Sequence, residues 1–305
     1  MKSKDLLLFE IKSITQQHEL MGIGKPKHPL IGLRRFENIP QQETYERIKL
    51  TSDFYQVTLK RQCPCKLQYG QNRYDFNEGI MSFFSPKQVS IIEPGTLFPP
   101  SGWLLSIHPD FLNHYPLAKK INDYGFFDYA MNEALIMSDE EEKVIVAIFE
   151  NIEREYQLPI DNFSQDVLIT NIELLLTHCN RFYTRQFISR KPTNQSLLVK
   201  VEEILKNYLD ESSGNHTLPS PVFIASQLNI SPKYLSDCLK QLTGQSIQQH
   251  IHDKLIQKAK EQLGNTEFTV AEIAYQLGFE YPQSFNKLFK SKTNISPLAY
   301  RKLLN

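Results

Sequence analysis

From about residue 30 to residue 140 the apolar positions fall in short runs that proline and glycine keep interrupting. Tyr, Phe, Val and Thr dominate segments such as residues 54–60 and 79–84, and Pro, Gly or Asn bound them, which is the pattern of strands and turns. Eight prolines from Pro40 to Pro116 leave no room for long helices, so an antiparallel sandwich or small barrel is predicted. The period then changes. Ser138-Asp139-Glu140-Glu141 supplies an N-cap and an acidic first turn, and apolar positions continue through Ile152, which predicts a helix. A second helix is predicted over about 164–187, with Val167, Leu168, Ile172, Leu174, Leu175 and Leu176 on its apolar side. Such a pair can pack on the strands or offer a surface to a partner, and the pattern leaves both open. Residues 188–195 are polar and basic and contain Pro192, as a linker would. Everything after them reads helical, beginning with a helix over 197–209. The expected class is α+β, with domains at 1–187 and 196–305.

The last third contains an internal repeat. Ile224-Ala225-Ser226-Gln227-Leu228-Asn229-Ile230 recurs as Ile273-Ala274-Tyr275-Gln276-Leu277-Gly278-Phe279, and Leu239-Lys240 with Thr243 recurs as Phe289-Lys290 with Thr293. The offset grows from 49 to 50 between these blocks, so the second copy carries one extra residue in its turn. Each copy has the chemistry of a helix-turn-helix. A small residue, Ala225 or Ala274, allows two helices to cross closely. Asn229 or Gly278 then tolerates the left-handed backbone that ends a helix sharply. Ile230 or Phe279 plugs the gap between the helices. The next helix opens with Ser231-Pro232, a cap and a first-position proline, or with Pro282. Leu235, Cys238, Leu239 and Leu242 form the apolar stripe of one second helix; Phe285, Leu288 and Phe289 form that of the other. Between the units Ile247, Ile251, Leu255, Ala259 and Leu263 recur every fourth residue, which predicts one long connecting helix. Its length of roughly 25 Å suits two recognition helices spaced by about one DNA turn, ~34 Å.

Composition changes this picture little. The net charge is zero, but DNA affinity depends on where Lys and Arg stand rather than on their total. From Ile230 onward ten basic residues face six acidic ones, a modest surplus that by itself would not separate a DNA-binding repeat from a protein-binding one. The first twenty residues hold only a short apolar run broken by Glu10 and Lys12, so neither a secretory signal nor a membrane anchor is expected. With four cysteines and no export signal, a reducing cytoplasm is the expected location. Cys63 and Cys65 are a close pair without the further ligands a tetrahedral metal site needs, and they read as incidental thiols.

Across about residues 196–304 the chain resembles the AraC/XylS family of transcription regulators. The residues that carry the likeness are Ile273-Ala274 through Gly278-Phe279, Ser284-Phe285-Asn286-Lys287-Leu288-Phe289-Lys290, and Ser296-Pro297-Leu298-Ala299-Tyr300-Arg301. The resemblance implies two helix-turn-helix subdomains joined by a long helix and reading a promoter. By motif position the DNA-facing candidates are Lys233, Tyr234, Ser236, Asp237 and Lys240 in the first unit. In the second they are Gln283, Ser284, Asn286, Lys287 and Lys290. Gln283 and Asn286 suit bidentate contacts to adenine, Lys287 suits guanine or phosphate, and Lys240 and Lys290 suit phosphate. Two positions depart from the family pattern. Asn294 stands where glycine is usual, and Asp237 stands where a basic or aromatic side chain is common. Asp237 either accepts from cytosine N4 or marks a first unit that contributes little.

The same resemblance implies a cupin-like N-terminal domain that senses an effector or dimerises. Residues 81–107, with Gly102-Trp103 and His108-Pro109-Asp110-Phe111-Leu112, carry a looser likeness to such domains. Metal-dependent cupins need a His-x-His pair with a nearby Glu; residues 69–88 contain no histidine, and His18, His28, His108 and His114 are scattered. No nucleophile–base grouping, phosphate loop or paired-carboxylate motif occurs. Neither catalysis, metal nor cofactor is expected. Tyr55, Phe83, Phe84, Phe98 and Trp103 are the candidate lining of a small-molecule pocket, with Arg73 or Lys60 to orient an acidic group; core packing is the competing reading of each aromatic. The expected function is sequence-specific transcription regulation, as an activator. Expected partners are promoter DNA, a small-molecule effector, RNA polymerase and a second copy of the chain. The alternatives are an effector-independent regulator whose front domain only dimerises, and a protein-interaction module without DNA binding.

Overall fold

A computed structural model describes residues 8–41, 47–61, 67–69, 72–74, 79–189, 191–210, 217–265 and 267–304. The chain divides into two compact units, residues 1–186 and 187–305. Sheets come first and helices after, the α+β class that the periodicity implied.

In the first unit β1 (Leu8–Ile11) and α1 (Ile14–Leu20) precede β2 (Ile31–Arg35), β3 (Ile48–Ser52) and β4 (Tyr55–Arg61). A short hairpin, β5 (Leu67–Tyr69) and β6 (Asn72–Tyr74), leads to β7 (Ile80–Phe84), β8 (Ser90–Ile92) and β9 (Ser101–Ile107). Then follow α2 (Leu117–Lys120), β10 (Leu135–Ile136), α3 (Asp139–Gln157) and α4 (Ser164–Ser189). Five strands form an antiparallel sheet in the order β10-β7-β4-β9-β2. A second sheet has the order β1-β3-β8, and here the structure departs from the antiparallel expectation, because β1 and β3 run parallel. Lys60 lies opposite Gly102 in the β4–β9 pair. Gly102 has φ +122°, and a Cβ there would fall 1.9 Å from the Leu59 carbonyl oxygen, so only glycine lets β9 approach β4 this closely.

Alternation divides the five-stranded sheet into two different surfaces. Val57, Leu59, Met81, Phe83, Trp103 and Leu105 share one face, by register, and all are buried. The two long helices pack on it, while Val167 and Leu174 of the predicted apolar side stay exposed. Trp103 stacks on Phe149 of α3 at 5.6 Å, the Cys179 thiol of α4 sits 3.7 Å from the Met81 sulfur, and Tyr183 packs at 6.0 Å from Phe83. α3 begins where the sequence predicted. The Ser138 hydroxyl accepts from the Glu141 N–H while the Glu141 carboxylate accepts from the Ser138 N–H. Arg35 reaches over Trp103, its guanidinium 4.7 Å from the ring centroid, and donates from Nε and Nη2 to the Glu153 carboxylate of α3. The Arg35 hydrogen bond holds the Glu153 carboxyl below the usual carboxylate range, against the opposing effect of burial.

The opposite face is mixed, with Ile80, Phe84 and Leu104 among polar side chains. Gln56, Thr58, Lys60, Ser82 and Ser106 occupy it, and α1 covers part of it, with the Ser106 hydroxyl donating to Gln17 Oε1 at 2.7 Å. The second unit is all helical: α5 (Lys191–Asp210), α6 (Pro221–Gln227), α7 (Pro232–Thr243), α8 (Ile247–Asn265), α9 (Val270–Gln276), α10 (Pro282–Thr293) and α11 (Pro297–Leu304). The segment expected as a polar linker carries helical backbone through Ser189 and again from Lys191; Pro192 sits in the first turn of α5, where its missing N–H leaves no gap in the ladder.

Candidate nucleic-acid interface

Each predicted helix-turn-helix forms, and each turn closes in the same way. In the first copy Ser220 caps α6 by accepting from the Phe223 N–H at 3.1 Å. Ala225 is wholly buried, Asn229 has φ +55°, and the Ile230 N–H donates back to the Ala225 carbonyl at 3.1 Å. Ser231 then caps α7 through the Tyr234 N–H, with Pro232 in the first turn. In the second copy Thr269 and Glu272 form a reciprocal capping box on α9. Gly278 has φ +90°, and the Phe279 N–H donates to the Ala274 carbonyl at 3.0 Å. α10 opens on Pro282, and the turn before it is one residue longer than in the first copy, as the shifted offset implied.

The second helices also end alike. Gly244 closes α7 at φ +76° and Asn294 closes α10 at φ +64°, their N–H groups donating to Lys240 and Lys290. Asparagine therefore supplies the left-handed cap where the family usually has glycine. The Thr243 and Thr293 hydroxyls both donate to the carbonyl four residues back at 2.8 Å. One apolar cluster joins the two copies: Ile224, Ala225, Leu235 and Leu239 on one side, Ile273, Ala274, Phe285 and Phe289 on the other, and Ile247, Ile251, Leu255, Ala259 and Leu263 of α8 between.

The outward faces of α7 and α10 differ. On α10, Gln283, Ser284, Asn286, Lys287 and Lys290 are exposed, while Phe285 and Phe289 behind them are wholly buried. Apart from backbone bonds, no hydrogen bond or ion pair within the described residues engages Gln283, Asn286, Lys287 or Lys290, so their donors and acceptors are available to an external partner. On α7, Lys240 is exposed, Ser236 is half-buried and the Lys233 ammonium lies 3.3 Å from Asp237. This pair uses the Asp237 carboxylate within the helix, which weakens the case for cytosine reading. Tyr234 corrects the motif-based expectation. Its side chain is 2% exposed and meets Phe187 edge-on at 5.2 Å, so it packs rather than faces a groove.

Sequence reasoning missed the ground beside α10. An open hollow of about 720 Å³ has Asn286, Lys287 and Lys290 on one wall and the starts of α9 and α11, Thr269–Ala271 and Ser296–Leu298, on the other. Repeat comparison could not show it, because it brings together segments from three helices. Arg301, part of the family motif, is structural. It donates to the Leu263 and Phe268 carbonyls at 3.1 and 2.6 Å and ties α11 to the end of α8.

Residues 224–303 match a family described as a helix-turn-helix domain. Over this stretch the chain is similar to AraC-type transcription regulators. A relative in Bacillus subtilis, the uncharacterized HTH-type transcriptional regulator YisR, is 33% identical over 98 residues, 32% of this chain and 33% of that protein. The HTH-type transcriptional activator RhaS of Escherichia coli is 28% identical over 157 residues, 52% of each chain. Among solved structures, the C-terminal domain of the two-component response regulator yesN from Fusobacterium nucleatum is 33% identical over 33% of this chain and 96% of that one, with a TM-score of 0.29. The chain spans between about a quarter and a half of the length of the curated relatives it matches.

The candidate effector pocket does not form as a single site. Phe83 and Phe84 are consecutive strand residues and point to opposite faces. Phe83 packs in an aromatic cluster with Phe126 at 4.4 Å and Phe127 at 5.7 Å, and Tyr55 meets Phe127 from the side at 5.0 Å. Trp103 lies under Arg35 and Phe149, and Phe98 packs 6.5 Å from Phe36 in a separate cluster. Alternation turns Phe84 away from Phe83, Phe98 packs in another cluster, and Tyr55, Phe83 and Trp103, which share a face, are taken up by ring packing rather than lining one cavity. Lys60 remains of interest: it is half-buried, desolvation pushes its ammonium below the usual lysine range, and no described residue pairs with it. The Arg73 side chain and the Cys63–Cys65 pair lie outside the described residues. No group of three or more potential metal ligands is gathered among the described residues. The buried Cys238 thiol is pushed up to about 12, mainly by desolvation, which makes it packing rather than a nucleophile.

Proposed function

We propose that the chain is a sequence-specific DNA-binding transcription regulator acting in the cytoplasm, with residues 196–305 gripping promoter DNA and the N-terminal unit modulating the grip. One observation carries the reading: α10 buries Phe285 and Phe289 while presenting Gln283, Asn286, Lys287 and Lys290 unengaged. A helix held rigidly behind and chemically open in front is what major-groove reading needs. The lysine-walled hollow beside it suits a backbone phosphate. Activation is the direction we propose, by analogy with the E. coli relative described as a transcriptional activator, and RNA polymerase is then the protein partner at the promoter. Nothing in this role calls for catalysis. Lys287→Ala is expected to weaken promoter binding by about 1–3 kcal/mol and relax one base preference. Gel-shift titration of a selected duplex and its single-base variants checks this; unchanged affinity and selectivity would remove Lys287 from the interface.

For the N-terminal unit, Lys60 favours an acidic small-molecule effector over dimerisation alone. A partly enclosed ammonium with no described counter-charge gains from a carboxylate or phosphate ligand. A thermal-shift screen of the intact chain against acidic metabolites is expected to raise its melting point with one class, and Lys60→Met to abolish that rise. Failure across the panel would favour a scaffold that joins two copies.

A further inference from the structure

Positive φ occurs at two matched pairs of places in the C-terminal unit, and the residues at them are exchanged. The turns use Asn229 at +55° and Gly278 at +90°; the caps use Gly244 at +76° and Asn294 at +64°. Asparagine thus serves in one turn and in one cap, so a left-handed backbone alone does not demand glycine here. The two glycines differ in their surroundings. A Cβ at Gly244 would meet nothing within 4 Å. At Gly278 it would fall 2.7 Å from the Thr217 carbonyl carbon, 2.8 Å from its oxygen and 2.9 Å from the Leu218 nitrogen. These are backbone atoms, with no rotamer by which to give way.

The peptide that touches Gly278 belongs to the other helix-turn-helix unit. It lies just before Ser220, the cap of α6, and is held by the Tyr208 hydroxyl of α5, which donates to the Thr217 carbonyl at 2.7 Å. The first unit's lead-in chain is therefore seated on the second unit's turn, backbone against backbone. We propose that Gly278 is a positioning residue that locks the two helix-turn-helix units in one register, so that the domain grips DNA sites of a single half-site separation. The proposal rests on the DNA-binding reading above. The shared apolar cluster along α8 supplies cohesion, and the Gly278 contact supplies the register, because side chains in a core can repack whereas two peptides in contact cannot. The first turn, with Asn229 exposed, provides no counterpart.

Gly278→Asn isolates the contact, because asparagine keeps access to positive φ while adding the Cβ; Gly244→Asn is the control in open space. Two readouts on the full chain test the lock. In amide exchange, Gly278→Asn is expected to speed the amides of α9 and α10 at least about tenfold relative to α7, with Gly244→Asn leaving the ratio unchanged. In DNA binding, duplexes are selected from a random pool by the wild-type chain and then lengthened by one or two base pairs between half-sites. The wild type is expected to lose about tenfold or more on lengthening and Gly278→Asn less than about threefold. Should Gly278→Asn not fold, Tyr208→Phe, which releases the same peptide more gently, is read by the same two measurements. Unaltered exchange and an unaltered spacing penalty in these variants would overturn the lock, as would equal loosening by Gly244→Asn. If the wild type selects no duplex, the DNA-binding reading falls, while amide exchange still decides whether the units are locked.

Discussion

Phe285→Ala is expected to lower the stability of the C-terminal unit by about 3–5 kcal/mol. Phe285 is wholly buried, with its ring centroid 5.4 Å from Phe279 and 5.7 Å from Phe289, which in turn meets Tyr300 at 5.5 Å. This aromatic chain ties the turn, α10 and α11 together. Removing the Phe285 ring deletes transfer free energy and leaves a cavity that its two neighbouring rings, Phe279 and Phe289, cannot collapse to fill. Because Phe285 belongs to the same apolar cluster as the first copy and α8, both units should feel the loss. Denaturant unfolding followed on the C-terminal unit measures it, and DNA binding should fail in parallel as α10 loses its backing. A cost below about 1 kcal/mol would mean that α10 is positioned by something other than this core.

In the N-terminal unit Trp103→Ala is expected to cost a similar 3–5 kcal/mol, roughly. Trp103 is 2% exposed, lies nearly parallel to Phe149 and sits beneath the Arg35 guanidinium. Truncation would open a hole under the Arg35–Glu153 pair and remove the ring face that the cation rests on. The experiment also decides between the two roles weighed for this residue. A pocket-lining tryptophan in an empty cavity loses little on truncation, whereas one packed between a sheet and a helix loses several kcal/mol. A melting transition within a few degrees of wild type would return Trp103 to the wall of a ligand cavity.

Much of the C-terminal unit was legible because its signals are local. Ala225 and Ala274, the left-handed Asn229 and Gly278, the Ser231-Pro232 opening and the one-residue offset between copies each specify a backbone event within a few residues. Each appears where the repeat placed it. Ser138 with Glu141 announced α3 in the same way. Tyr234 was misread because helix-face assignment from a motif ignores what lies outside it; the ring that covers it, Phe187, stands almost fifty residues earlier in the chain. The supposed aromatic pocket failed for a reason already visible in the sequence, since adjacent Phe83 and Phe84 cannot both face one cavity of a strand. The separation of Phe98 from Trp103 was not visible, because it depends on which helix covers which face.

For this protein, then, the sequence by itself determined the class, the two helix-turn-helix units, the long helix between them and the polar set on α10. Those follow from periodicity, caps and turns, which are decided by the conformational preferences of neighbouring residues. Tertiary structure alone decided that α3 and α4 cover one face of the five-stranded sheet, that β1 pairs with β3 in parallel, and that Lys60 stands without a described counter-charge. It alone showed that Asp237 is occupied by Lys233 and that the peptide at Thr217 rests on Gly278. Each of these depends on which distant segments meet, and that is governed by the packing of whole faces rather than by any short run of residues.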